Sequence, residues 1–178
     1  GLQPIRGKHY EKLSAMMQAN IGLYSAHIPL DLHPAYGNNR VLADLIGLKN
    51  LESFGEYDGI KIGFKGSLPA ISSEKLGQVL EQKLDSQVKI IGKGEVKTVG
   101  LVTGGAADIV RQAIQEGLDC YITGEGANHH FHEATEGNCI LIFAGHYATE
   151  TGGVKSVGKH LQEKFGIASE FLHYPTGL

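Results

Sequence analysis

The chain has 178 residues, 42% of them hydrophobic, with a formal net charge of −3 at pH 7. This is enough for one ordinary domain or two small lobes with a real core. The acidic and basic residues are mixed along the chain, which argues against a nucleic-acid surface. The longest apolar runs, such as Cys139 to Gly145, are too short to span a bilayer, and no charged-then-apolar signal opens the sequence, so the cytoplasm is the default location.

The first helix is expected over Lys8 to Asn20, with Leu13, Met16 and Met17 as its apolar side. An α/β unit would offer a strand before such a helix, so residues upstream of Gly1 are expected to be missing. Ile21 to Ala26 reads as a short strand that runs out into His27-Ile28-Pro29-Leu30-Asp31-Leu32-His33-Pro34. The two prolines disfavour a helix interior and place His27, Asp31 and His33 on a loop, where they serve either function or turn chemistry. Asn38 or Asn39 is then expected to cap a helix through Val41, Leu42, Leu45 and Ile46, ended by Gly47.

Residues 49 to 95 change character. Phe54 to Phe64 alternates polar and apolar residues around Asp58-Gly59, as strands joined by a tight turn do. Ser72 to Leu84 reads as an amphipathic helix capped by Ser73, followed by strands over Gln87 to Ile91 and Val96 to Val102.

From Val96 onward strands alternate with helices, which predicts a largely parallel sheet. The turn Thr103-Gly104-Gly105-Ala106-Ala107-Asp108 is glycine-rich but matches neither the dinucleotide nor the P-loop pattern, leaving helix-start amides as its one route to an anion. After the strand Cys120 to Ile122, Glu125 stands directly at a strand's carboxyl end. His129 with Glu133, and His132 with Glu136, are spaced i,i+4 and could be metal half-sites or a solvated helix face. Cys120 and Cys139 lie in apolar runs without C-x-x-C spacing and read as buried, reduced thiols.

The strand 139 to 144 ends at Gly145 and hands over to His146-Tyr147-Ala148-Thr149-Glu150. With the helix beginning inside this segment, His146 and Glu150 share one helical face at the carboxyl end of a strand, where ligands of open α/β sheets bind. One imidazole and one carboxylate there suit a divalent metal, or else form a helix-start ion pair. Gly152 and Gly153 inside the last helix each cost up to about 1 kcal/mol relative to alanine, so another part of the chain is expected to approach that backbone closely. Ser169 to Tyr174 reads as a final strand.

Taken together, the His27 to Asp31 segment, His33-Pro34, Gly37-Asn38-Asn39, Thr123-Gly124-Glu125 with His129, and Gly145-His146-Tyr147-Ala148-Thr149-Glu150 resemble the Nif-three-like (DUF34) family, also known as GTP cyclohydrolase 1 type 2 homologues. The resemblance runs from Ile5 to Pro175. It implies two mixed or parallel-sheet α/β lobes facing a metal-binding cleft. Residues 1–50 would be part of the first lobe, 51–135 the second, and 136–178 a segment returning to the first. It implies two divalent ions per subunit (zinc, iron, manganese or magnesium) with Asp31, His146 and Glu150 as ligands, Glu150 placed to bridge. Glu125 and His129 become candidate catalytic groups, and His27 another group of the cleft. In the family, two adjacent histidines on an earlier strand supply the remaining ligands, and this chain opens at about that point. Members assemble as homohexamers. The function implied is a metal-dependent hydrolase acting on a nucleotide or phosphoester; the alternatives are a non-catalytic metal-binding scaffold and a nucleotide-binding domain using Thr103 to Asp108.

Overall fold

The computed structural model describes residues 4–176. Among the described residues the strands are β1 (Lys49–Tyr57), β2 (Ile60–Ser72), β3 (Lys89–Ile91), β4 (Glu95–Leu101), β5 (Cys120–Thr123) and β6 (Ile140–Phe143). The helices are α1 (Gly7–Gln18), α2 (Ile28–Asp31), α3 (Asn38–Leu45), α4 (Ser73–Leu84), α5 (Val110–Gln115), α6 (His129–Glu136), α7 (His146–Thr149) and α8 (Thr151–Phe165), with a 3₁₀ turn over Ala107–Ile109. The fold is mixed α/β, built on one six-stranded sheet ordered β1-β2-β4-β5-β6-β3.

Side-chain alternation along the central strands divides the core into two layers. Cys120 and Ile122 of β5, with Ile140 and Ile142 of β6, pack under Leu42 of α3 and Leu76 and Leu80 of α4. Tyr121 and Leu141 face the other way, against Val110 and Ala113 of α5 and Ala134 of α6. All four residues of β5 are buried, as expected for a strand covered on both faces. Cys120 and Cys139 are free and buried, as the sequence implied.

The strands from Val96 onward, β4-β5-β6, pair parallel as expected, and β1, β2 and β3 join antiparallel, so the sheet as a whole is mixed. The β1-β2 hairpin turns on Asp58 (φ 49°) and Gly59 (φ 78°), both at the positive φ that a two-residue type I′ turn needs. The boundary expected at residue 135 does not separate sheets, because β6 is hydrogen-bonded to β5 on one side and β3 on the other.

Ile21 to Ala26 and Ser169 to Tyr174, both expected as strands, are irregular. A strand exists by its ladder, and neither segment has a neighbouring strand among the described residues. Their apolar side chains stand in the open, Tyr24 at 91% and Tyr174 at 85% exposure. The apolar side of α1 is likewise uncovered, with Met17 75% exposed. Asp31 lies not on a loop but at the end of the single-turn helix α2, since Pro29 falls in the first turn, where its missing N–H has no intrahelical partner to lose. Ser72 rather than Ser73 caps α4, its hydroxyl accepting from Lys75 N–H at 3.2 Å. Among the described residues no helix is long and apolar enough to cross a membrane.

Candidate functional site

The site gathers where α2, the turn after β4, the turn after β5 and the turn after β6 meet. Asp31 is buried, and its Oδ1 accepts from Asn38 Nδ2 at 2.7 Å. The other end of the Asn38 amide, Oδ1, accepts from Gly153 N–H at 2.7 Å. One side chain thus ties Asp31 to the first turn of α8, next to Glu150. Asn39, fully buried, donates to Ile62 O at 2.8 Å and Asp31 O at 3.3 Å, and accepts from Thr103 N–H at 2.8 Å. Gly37 is the N-cap of α3, so the asparagines expected as caps are turned inward instead. The glycines of α8 meet the approach expected of them: a Cβ on Gly152 would come 2.7 Å from Val41 of α3, and Gly153 donates to Asn38.

His146 opens α7 after Gly145, which takes φ 90° to turn the chain off β6. Its Nδ1 lies 2.8 Å from Glu125 Oε1 and its Nε2 3.5 Å from Glu150 Oε2. An ionised Glu125 only accepts, so a neutral His146 carries its proton on Nδ1 and has Nε2 open to a metal, while a protonated ring donates from Nε2 toward Glu150. Buried Thr149 accepts from Gly104 N–H at 3.1 Å and donates back to Gly145 O at 2.9 Å, joining the ends of β4 and β6.

Donor atoms of His27, Asp31 and Glu150 all lie within 4.8 Å of one another, a group able to hold a metal ion. Burial, reinforced by the Asp31 charge, pushes the Glu150 carboxyl above its ordinary range, with His146 and His27 pulling the other way. His27, expected to be peripheral, is therefore drawn into the group, while His146 adjoins it through Glu150. His33 performs turn chemistry, its Nδ1 accepting from the N–H groups of Ala35 and Tyr36. His129 is not paired with Glu133. It lies against Asp108 and His130, while Glu133 is bonded to Arg111.

In the Thr103 to Asp108 turn three backbone amides are not open to an anion. Its N–H groups at Thr103, Gly104 and Ala106 are taken by Asn39, Thr149 and Thr123 respectively. On the Glu125 side, a cavity of about 1040 Å³ is lined by Glu125, Gly145 and Tyr147 together with Lys83, Lys89 and Lys155.

The sequence profile of Duf34/NIF3 (NGG1p interacting factor 3) matches residues 2–175. The chain belongs to this family. A Deinococcus radiodurans relative named "GTP cyclohydrolase 1 type 2 homolog" is 39% identical over 177 residues, covering 98% of this chain and 67% of the relative. One of the same name from Halobacterium salinarum is also 39% identical, over 100% of this chain and 72% of its own length. Among solved structures, the family fold is seen in the protein ybgI (TM-score 0.90, 31% identity, 100% of this chain and 72% of that one). It is seen again in TTHA1606 from Thermus thermophilus (TM-score 0.86, 36% identity, 100% and 71%). Every residue of the His27, Asp31, Glu125, His146 and Glu150 constellation falls within the span that the Duf34/NIF3 profile matches.

Proposed function

We propose that this Duf34/NIF3 chain is a metal-dependent hydrolase acting on a nucleotide or another phosphoester, with Asp31, Glu150 and His146 as metal ligands and His27 as a further donor. The observation that carries the reading is the convergence of ligand-type atoms. His146 Nε2 and Glu150 Oε2 stand 3.5 Å apart, and Glu150 also meets Asp31 and His27. Among the described residues no lysine or arginine forms an ion pair with Asp31 or Glu150. Ligand atoms bonded at 2.0–2.1 Å to a tetrahedral ion stand about 3.3 Å apart, so the donor set fits a divalent cation. Glu150, which meets His146 as well as Asp31 and His27, would be the ligand shared between two ions. The mixed nitrogen and oxygen set suits zinc, iron, manganese or magnesium.

A divalent ion held there would acidify a water and polarise a phosphoryl or carbonyl oxygen. The protein's own contribution begins with Asn38, which fixes the Asp31 carboxylate, and Glu125, which fixes the His146 tautomer. Glu125 lines the adjoining cavity and is 45% exposed, so it can also take or return a proton at the substrate. Lys83, Lys89 and Lys155 give that cavity the charge a phosphate-bearing substrate needs, and its volume accommodates a nucleotide. The relatives' shared name supports a nucleotide substrate, and the family resemblance supports assembly as a homohexamer.

The test is turnover of GTP and of a generic phosphoester with zinc, manganese, iron or magnesium added, alongside elemental mass spectrometry of the protein. Metal-dependent product release that disappears in Asp31→Ala supports the proposal. Turnover indifferent to Asp31→Ala overturns it, and ions held without turnover of any substrate would leave a metal-binding scaffold as the better reading.

A further inference from the structure

A second group of ligand-type side chains stands apart from the Glu150 cluster. Asp108, in the 3₁₀ turn after β4, presents Oδ1 3.3 Å from His130 Nε2 and 3.9 Å from His129 Nε2, both at the start of α6. The donor atoms of the three residues all fall within 4.8 Å of one another.

His130 is a buried residue rather than a surface one. Its side chain is only 5% exposed, and its Nδ1 lies 3.1 Å from Ala127 O, leaving Nε2 aimed at Asp108. An imidazole that donates one ring N–H to a backbone carbonyl and offers the other nitrogen is the usual setting of a metal-bound histidine. Without an ion, Nδ1 accepts from the Ala127 N–H at 2.9 Å and the ring proton on Nε2 faces Asp108; an ion at Nε2 displaces that proton to Nδ1, which then donates to Ala127 O. Of the two separations, 3.3 Å matches what a tetrahedral ion requires, about 3.3 Å, and 3.9 Å exceeds it, but both partners of the wider pair are exposed enough to close it. One helical turn further along α6, Glu133 Oε2 is buried with no hydrogen-bond partner among the described residues, while Oε1 is held by Arg111. Arg111 also reaches Asp108 Oδ1 at 3.6 Å, but its shorter bonds are to Glu133, leaving Asp108 free to turn toward the histidines.

We propose that Asp108, His129 and His130 form a second, separate site for a borderline divalent ion, zinc by ligand type, with a water as fourth ligand that donates to Glu133 Oε2. The ion bridges the turn following β4 to the turn following β5. The first of these carries Gly104, whose carbonyl accepts from Gly124 and Glu125 N–H, and the second carries Glu125 itself. The site therefore braces the backbone that aims Glu125 at His146 without taking part in the chemistry there.

The experiment uses the whole chain carrying Asp31→Asn and Glu150→Ala, which removes the first cluster's carboxylates. Zinc alone is the probe, with bound zinc counted by elemental mass spectrometry after dialysis and melting temperature read with and without the ion. The expected result is about one zinc per chain and a zinc-dependent rise in melting temperature. Both should be lost, with at least a tenfold drop in affinity, on adding either His129→Ala or Asp108→Asn. These two side chains are 58% and 75% exposed, so the zinc-free melting temperature should not move with them. Zinc binding unchanged by both substitutions, or a folded background that retains no zinc, overturns the proposal.

Discussion

Gly104 and Glu150 occupy one space: a Cβ built on Gly104 would overlap Glu150 Oε1. Gly104 also sits at φ 72°, in the left-handed region where an L side chain costs about 1–2 kcal/mol. The glycine is thus required twice, once by its own backbone and once by the carboxylate lying across it. Gly104→Ala is expected to destabilise the fold by about 1–2 kcal/mol through the backbone alone. It should also push the Glu150 side chain out of register with Asp31 and His27. Denaturant unfolding reads the first effect and metal content the second. A variant that melts lower yet keeps full metal binding would show that Glu150 can be displaced without consequence, against the ligand role proposed for it.

The amide of Asn39 satisfies Ile62 O, Asp31 O and Thr103 N–H at once, from a fully buried position. Truncation leaves these groups dry and unpaired, at about 1–3 kcal/mol for each group left unsatisfied. Asn39→Ala is therefore expected to cost on the order of 3 kcal/mol by chemical denaturation. Asn39→Asp keeps the acceptor for Thr103 N–H but sets one acceptor oxygen against both the Ile62 and Asp31 carbonyls, and should cost no less. A loss below about 1 kcal/mol in both variants would show that water replaces the amide.

Much of this could be read from residue order. Apolar periodicity located the strands and helices from Val96 to Phe165, because those elements bury alternating side chains in a common core. Polar residues following apolar runs singled out Asp31, Glu125, His146 and Glu150; of these runs the ones before Glu125 and His146 are the strands β5 and β6, and the one before Asp31 is irregular. Asn38 and Asn39 were read as caps because an asparagine after a glycine is locally indistinguishable from one; only the tertiary partners, Gly153 from 115 residues away and Thr103 from 64, reveal the inward role. Ile21 to Ala26 and Ser169 to Tyr174 carry strand composition, but strand formation depends on a neighbour that composition does not specify. His129 with Glu133 illustrates the same limit: the i,i+4 spacing is real, yet Arg111 on α5 takes the carboxylate and Asp108 the imidazole.

Asp119 supplies a pH test away from the site. Its Oδ2 accepts from Lys97 N–H at 2.9 Å, Thr98 N–H at 2.8 Å and the Thr98 hydroxyl at 2.9 Å, pinning the turn before β5 to β4. Burial works to raise this carboxyl, but the hydrogen bonds from Thr98 and Lys97 outweigh it and hold it below its ordinary range. A depressed folded-state value means that its stabilisation is fully present above the unfolded carboxyl's range and is lost as pH falls through the folded one. Wild type should accordingly lose stability on acidification from about pH 5 downward. Asp119→Asn should flatten that part of the profile while lowering stability at neutral pH by about 1.5–3 kcal/mol, the scale of hydrogen bonds to a charged group. Parallel acid limbs for wild type and variant in urea titrations would show that other carboxylates govern the acid response.

The bond between Glu125 and His146 separates positioning from catalysis. If Glu125 serves only to hold the Nδ1 proton, Glu125→Gln keeps an acceptor oxygen at the same place and lowers metal affinity by about 10- to 100-fold, as changes beside a ligating histidine do. Activity should then return at saturating metal. If Glu125 also moves a proton at the substrate, kcat stays about 10²- to 10⁴-fold down at saturating metal, with KM little changed. We expect the second outcome, since Glu125 lines the cavity with Lys83, Lys89 and Lys155 and reaches His146 through Oε1 alone. Full rescue by added metal would reduce Glu125 to a positioning residue and send the search for the proton carrier to the other cavity groups, Tyr147 first.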